Sequence, residues 1–199
     1  MKIKLLLLCL VFLAGCVQHT GPEHAESFKE NLRLTDLQGV YKNKGEPEGY
    51  LSSALWGQGP QTYSDDRSYW IDKIEVVPES KTVTVRAVAG ECYIFQKRYV
   101  EGKDFTIEHG RITIRNESAL LNSGTGDPLV GPRYAEISIG LDASGNGMSR
   151  DDFLATGLVY LVLPVALYFE ADTRYERLSA TPVNYPPCKD QLEIGGGAR

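Results

Sequence analysis

The chain has 199 residues, of which 42% are hydrophobic and 24% are charged. This length is typical of a single domain that buries most of its apolar surface without help from metals or partners. Because the net charge is -5, the composition argues against nucleic acid and against broad anionic lipid surfaces as partners.

The first fifteen residues have the pattern of a short export signal. Lys2 and Lys4 form a charged start, and an apolar stretch follows over residues 5–13. This stretch is too short to span a hydrocarbon core, which is about 30 Å thick and needs about 20 apolar residues. Residues 1–15 are therefore predicted to be a signal peptide.

The signal ends on Leu13-Ala14-Gly15-Cys16, which resembles the lipobox of bacterial lipoproteins. The resemblance implies cleavage before Cys16, attachment of diacylglycerol to its thiol, and acylation, for example by palmitate, of the new amino group. Two or three acyl chains would hold the protein firmly, since each buried methylene contributes about 0.8 kcal/mol. The open alternative is an ordinary secreted protein that is cut near Gly15.

The residue after the cysteine bears on the location. In lipoproteins of Gram-negative cells, an aspartate at this position favours retention in the inner membrane, and this chain has Val17 there. The resemblance therefore implies that the protein is anchored in the outer membrane and faces the periplasm, provided that the source is Gram-negative.

Residues 16–34 are predicted to be the lipidated N-terminus and a tether, which is polar at first and weakly helical over residues 23–34. A β-rich periplasmic domain is predicted over residues 35–199. Near its start, residues 50–56 are expected to form one or two helical turns, and residues 57–68 a loop rich in Gly, Asp and Ser.

The hydrophobic pattern changes to a period of two from residue 69 onward, which is typical of strands. The predicted strands cover residues 69–77, 81–89, 91–100, 105–108, 111–114 and 135–141. Residues 119–133 are predicted to be a long Gly/Pro loop. Residues 154–169 are interpreted as two buried strands with the break at Pro164, followed by a closing strand at 174–178. The fold class is thus predicted as all-β and mainly antiparallel, either a small sandwich or a half-open barrel.

Two cysteines remain once Cys16 is lipidated and the signal is removed, namely Cys92 and Cys188. In an oxidising periplasm an isolated pair is most simply a disulfide. Such a bridge would close a loop of nearly 100 residues, worth up to about 4 kcal/mol if it is unstrained. The alternative is a pair of buried thiols.

One loop resembles an EF-hand calcium site. Asp142, Ser144 and Asn146 match its first three oxygen ligands and Gly147 its glycine, but Asp152 becomes the terminal acid only if one position is deleted. That deletion, and the strand that precedes the loop, favour a plain turn instead. Calcium is kept as a candidate cofactor, with Asp142, Ser144, Asn146 and Asp152 as candidate ligands.

The sequence shows no Gly-x-Ser-x-Gly, P-loop or His-Glu-x-x-His pattern, so no catalytic residues are predicted. We expect a lipid-anchored envelope protein, not an enzyme, that binds or scaffolds an envelope protein or a cell-wall partner. One alternative is a carrier of small apolar ligands, because the strand pattern resembles that of lipocalin-like lipoproteins. A third class is an enzyme acting on wall sugars, which would need two facing carboxylates.

Overall fold

The structure is a computed structural model that describes residues 16–22, 27–47, 49–56, 71–116, 120–121, 129–159 and 163–188. The predicted signal at 1–15 and the predicted loop at 57–68 lie outside the described residues. Strands dominate the described part of the chain. They are β1 (Cys16–Thr20), β2 (Gly39–Lys42), β3 (Lys44–Gly45), β4 (Gly49–Tyr50), β5 (Lys73–Glu79), β6 (Thr82–Ala89), β7 (Cys92–Val100), β8 (Thr106–Glu108), β9 (Arg111–Asn116), β10 (Leu120–Leu121), β11 (Leu129–Leu141), β12 (Gly147–Val159), β13 (Leu163–Tyr175) and β14 (Arg177–Ser179).

The helical content is small. A 3₁₀ helix covers Leu34–Leu37, and the α-helix α1 covers Leu51–Trp56, where helical turns were predicted. No helix within the described ranges is long and apolar enough to cross a membrane.

The strands form two main sheets. The five-stranded sheet has the order β14-β2-β5-β6-β7, and the seven-stranded sheet has the order β1-β13-β12-β11-β9-β8, with β10 beside β11. A small separate sheet joins β3 to β4. All strand pairs are antiparallel except β1 with β13, which run parallel. The predicted all-β, mainly antiparallel sandwich is confirmed.

The core lies between the two main sheets. Val83, Val85 and Ala87 of β6 are buried, as their alternation with Thr84 and Arg86 predicts. They share one hydrophobic cluster with residues of the facing sheet, and α1 adds two leucines to it. The contributions from the facing sheet and the helix are Ile112, Ile139, Leu141, Tyr175, Leu51 and Leu55. Each such side chain stabilises the fold by about 1.5–3 kcal/mol relative to an exposed position.

The prediction of a free tether at residues 16–34 is wrong over the described residues. Residues 16–20 form the edge strand β1, in which Cys16 pairs with Leu167 and Thr20 with Ala171. Phe28 and Leu32 are buried, and the amide of Lys29 donates a 2.8 Å hydrogen bond to the carbonyl of Leu141. The apolar residues that suggested a weak helix instead cover the sheet, because burial outweighs a weak helical propensity.

Three strand boundaries also differ from the prediction. Strand β11 begins at Leu129, inside the predicted loop at 119–133, and β12 begins at Gly147 directly after a turn. Pro164 lies within β13 rather than at a break. It pairs with Leu158 on one side, whereas β1 begins only at the level of Leu167. Pro164 therefore sits in an edge segment of the sheet, where the absence of an N–H is tolerated.

The interpretation of residues 154–169 as two strands is correct, and their expected burial is wrong for the side chains that the structure describes. Leu154 is 38% exposed, and Phe169 is only partly buried. Leu154 lies on the face of the sheet that carries Arg150 and Asp152, opposite the core. Apolar composition alone therefore did not predict burial here.

Candidate functional site

Cys16, the predicted lipidation site, is the first residue of β1 at the edge of the seven-stranded sheet. Because β1 is parallel to β13, the chain that precedes Cys16 leaves toward the Leu163 end of β13. Five consecutive residue pairs, from Cys16 with Leu167 to Thr20 with Ala171, hold the strand to the sheet. A group attached to Cys16 would thus be joined to the sheet edge without an intervening spacer.

A cluster of polar and charged side chains lies on one face of the three neighbouring strands β1, β13 and β12. We call it the ion-pair cluster. Its members are His19, Arg150, Asp152, Tyr168, Glu170 and Asp172. The register produces it, since Arg150 lies opposite Asp172 and Asp152 opposite Glu170. Cross-strand neighbours on one face of a sheet are close enough for their side chains to pair.

Arg150 is the centre of the ion-pair cluster. Its guanidinium donates to both oxygens of Asp172, at 2.7 and 2.8 Å, and lies 3.1 Å from Glu170. Asp172 is only 2% exposed, so this bidentate pair compensates a carboxylate that would otherwise be buried without a partner. The hydrogen bond to Asp172 raises the pKa of Arg150 above its ordinary value.

Tyr168 connects the remaining acids of the ion-pair cluster. Its hydroxyl oxygen lies 3.0 Å from an oxygen of Asp152 and 3.2 Å from one of Glu170, so that its single proton is shared between the two carboxylates. The hydrogen bond to Asp152 and burial raise the pKa of Tyr168 to about 12, so the hydroxyl stays protonated at neutral pH. It acts here as a donor that holds two carboxylates in place.

The same cluster includes a group with the residue types of a metal site. Among the described residues, the potential ligand atoms of His19, Glu170 and Asp172 lie within 4.8 Å of one another. Arg150, however, already pairs with both acids. A cation would therefore have to displace or tolerate an adjacent guanidinium, and the arrangement is that of a structural ion-pair network.

The four candidate calcium ligands do not converge. Asp142 closes the turn between β11 and β12: one of its oxygens accepts the amide of Asn146 at 2.7 Å, and the other lies 2.9 Å from the Arg174 guanidinium. Ser144 is in the same turn, whereas Asp152 lies in β12 and accepts from Tyr168. The five positions from Gly147 to Asp152 carry that acid about 17 Å along the strand. The interpretation as a plain turn therefore fits the structure, and calcium binding at these residues stays an untested prediction.

Between the two main sheets lies a small apolar cavity of about 40 Å³. Its lining includes Val76, Val85, Ile112, Ile139 and Met148. Two tyrosines also line it, and their hydroxyls donate to main-chain carbonyls, Tyr41 to Leu37 and Tyr99 to Leu55. Burial raises the pKa of Tyr41 to about 12 and raises that of Tyr99 further. The space thus presents mainly hydrocarbon to any occupant.

Cys92 and Cys188 form a disulfide, with their Cα atoms 5.0 Å apart. The predicted pairing is confirmed. The bridge fastens the C-terminal segment to β7, where main-chain hydrogen bonds join Tyr93 to Pro186 and Cys188. Further along, Glu75 of β5 accepts the amides of Val183 and Asn184 at 2.7 and 2.6 Å.

The sequence did not predict the ion-pair cluster. The available signal was the alternation of Arg150 with Asp152 and of Tyr168 with Glu170 and Asp172, which places each set on one strand face. Without the register, nothing in the sequence indicated that the two faces coincide.

No protein-family model matches the chain, and the searches of curated proteins and of solved structures find no match either.

Proposed function

We propose that this protein is a lipid-anchored envelope protein, attached through Cys16 to the outer membrane on its periplasmic face, and that its sandwich domain acts in binding or scaffolding rather than in catalysis. The lipobox Leu13-Ala14-Gly15-Cys16 is the sequence basis. The disulfide between Cys92 and Cys188 is consistent with an oxidising compartment.

The observation that carries the proposal is the place of Cys16 in the fold. It begins β1, which pairs along five residues with β13. Acyl chains on Cys16 would therefore hold the edge of the seven-stranded sheet directly at the bilayer surface. Two or more chains are needed for stable attachment, because a single chain binds only marginally.

The ion-pair cluster is a structural network in which Arg150 and Tyr168 hold the acids, and the proposal assigns it no catalytic part. The partner in this proposal is another envelope protein or a cell-wall component that the domain meets in the periplasm.

Metabolic labelling with palmitate tests the anchor. The wild type and the matched variant Cys9→Ser should both incorporate label, because Cys9 lies in the segment predicted to be removed. Cys16→Ser should incorporate none. Label that persists in Cys16→Ser, or that is absent from the wild type, would overturn the proposal.

The proposed outer-membrane location has its own test. In cell fractions separated by density, the wild type and Val17→Ala should both accompany the outer membrane, and Val17→Asp should shift toward the inner membrane. If all three remain in the inner-membrane fraction, the location is wrong even though the anchor stands.

A second candidate is a carrier of small apolar ligands, for which the cavity of about 40 Å³ between the sheets would have to widen to admit a lipid. Native mass spectrometry of the protein purified from cells should then show a bound lipid. Val85→Phe should reduce the occupancy by filling the space, whereas Leu178→Phe, at a residue 47% exposed, should leave it unchanged. A wild type without co-purifying lipid would rule this candidate out.

A further inference from the structure

The three longest strands differ in charge along their length. Four residues lie side by side across the sheet at the level of Cys16, which we call the Cys16 level. They are Cys16 of β1, Leu167 of β13, Ala155 of β12 and Arg133 of β11. We call the described residues beyond this level, away from the turn at 142–146, the distal end. It consists of residues 120–121, 129–132, 156–159 and 163–166.

The distal end contains no Asp, Glu, Lys, Arg or His among its described residues. Its sequence is Leu-Leu, Leu-Val-Gly-Pro, Thr-Gly-Leu-Val and Leu-Pro-Val-Ala in strand order. On the other side of the Cys16 level, the same strands carry Glu136, Arg150, Asp152, Glu170 and Asp172. Within the described strand residues, the boundary between charged and uncharged sequence thus coincides with the residue that the lipobox marks for acylation; Asp127, between β10 and β11, lies outside the described residues.

The dimensions of the distal end agree with a bilayer leaflet. Val159 and Leu163 lie four positions beyond the Cys16 level, which is about 13 Å at the usual rise of about 3.3 Å per residue. Half of a hydrocarbon core about 30 Å thick is about 15 Å. Since β1 runs parallel to β13, the distal end projects in the direction in which the chain leaves Cys16.

We propose that the distal end enters the leaflet that holds the acyl chains of Cys16, so that the protein meets the membrane both covalently and through an uncharged sheet end. This inference rests on the proposed lipid anchor. We assign lipid as the occupant for three reasons. The charged residues stop at the level of Cys16, the chain leaves Cys16 toward this end of the strands, and the strands extend beyond that level by no more than the thickness of one leaflet.

The geometry also limits the depth of insertion. Unpaired backbone groups at an open sheet edge are costly in hydrocarbon, and the described part of β1, which starts opposite Leu167, offers no partner to residues 163–166 of β13. Pro164 has no N–H to leave unpaired there. We therefore place the distal end at the boundary of headgroups and acyl chains, about 5–10 Å deep as for interfacial segments, and not across the bilayer.

Tryptophan quenching by brominated lipids tests the contact. Full-length protein is purified from cell membranes and reconstituted in vesicles of zwitterionic lipid brominated on the acyl chains, as the wild type and as Val159→Trp, Val130→Trp and Leu178→Trp. Val130 lies on β11, opposite Leu158, so it reports on the distal end if the Val159 variant does not fold. Leu178 is an exposed control in the other sheet.

After subtraction of the wild-type emission, the two distal tryptophans should be quenched at least about twofold more than Trp at position 178, because they lie within reach of the acyl chains. Equal quenching of all three would overturn the proposal. Emission that depends on protein concentration rather than on bromination would indicate that a second copy of the chain covers the distal end. That result would overturn the proposal as well.

The same samples separate this inference from the proposed function. Intact mass shows whether Cys16 is acylated, independently of the quenching. If Cys16 is acylated and the distal tryptophans are not quenched, the proposed membrane contact is wrong and the proposed anchor stands. If the distal tryptophans are quenched and Cys16 is not acylated, the proposed anchor is wrong and the contact stands.

Discussion

The two halves of the three long strands illustrate how one sheet serves two purposes. Near the turn at 142–146, Ile139 and Leu141 face the five-stranded sheet and are 9% and 2% exposed. Further along the same face, Phe153 is only partly buried, whereas Leu154, on the opposite face with Arg150 and Asp152, is 38% exposed. Among the side chains that the structure describes, burial thus declines away from the turn. The uncharged strand residues beyond residue 155 belong to the distal end, for which we propose a contact with lipid.

The largest difference is expected from one truncation in each half. Leu141→Ala should destabilise the protein by about 2–5 kcal/mol, because it leaves a cavity in a packed core. Leu154→Ala should change the free energy of unfolding by no more than about 0.5 kcal/mol, as surface substitutions do. Urea denaturation of both variants, without lipid, measures the two values. Equal losses would mean that Leu154, on the face opposite the core, is packed as tightly as Leu141.

The disulfide should come next in effect, and it belongs to the other sheet. The double variant Cys92→Ser/Cys188→Ser should lose about 2–4 kcal/mol, because the bridge spans a sequence separation of 96 residues and constrains the unfolded chain. Its midpoint in urea should fall accordingly. Reduction of the wild type is the matched control and should lower stability by the same amount; an unchanged midpoint in both would contradict the stabilising role.

A smaller effect is expected at the boundary between the two halves, in the ion-pair cluster. Arg150→Met should cost about 1–3 kcal/mol, because it leaves the buried carboxylate of Asp172 without its charged donor. The double variant Arg150→Met/Asp172→Asn should recover part of that loss. A double variant less stable than Arg150→Met would show that the pair is not the source of the effect.

The smallest effect is expected at Asp151 of β12, which keeps part of its surface in solvent. Desolvation of its carboxylate, followed by the charges of Asp152 and Asp172, raises its pKa above the ordinary value of 3.8. The folded protein then takes up this proton before the unfolded chain does. Ionised Asp151 therefore lowers the free energy of unfolding at neutral pH. This loss of stability declines as the pH falls through the folded-state pKa, and it is absent below 3.8.

Asp151→Asn should consequently be slightly more stable than the wild type at pH 7, and the difference should shrink toward acidic pH. Glu91→Gln, at an exposed acid in the turn between β6 and β7, is the control for the loss of one negative charge. Thermal unfolding at a series of pH values measures both. A gain for Asp151→Asn that is constant with pH would contradict the raised pKa.

Local patterns in the sequence were enough to predict much of the sandwich. The alternation around Val83 and Val85 gave the hairpin of β5 and β6, and the turn at His109-Gly110 gave β8 and β9, because these features depend on neighbouring residues. The disulfide followed from the number of cysteines. These predictions needed no knowledge of which strands lie side by side.

The remainder depended on long-range pairing. The polar residues 149–152 gave no indication of a strand, because the partners of Ser149 and Arg150, which are Tyr175 and Asp172 of β13, are brought to them only by the register. The apolar stretch at 154–169 was expected to be buried, since composition does not show where the facing sheet ends. Residues 16–34 were expected to be free, since the contacts of Phe28 and β1 exist only in the assembled sheet.

The central claim is that the mature chain begins at an acylated Cys16 that fixes the sheet edge to the membrane. Intact and peptide mass spectrometry of the protein purified from cell membranes tests it most directly. The account predicts a first residue of Cys16 bearing diacylglycerol on its thiol and an acyl group on its amine. An unmodified Cys16, or a chain that still contains residues 1–15, would contradict it.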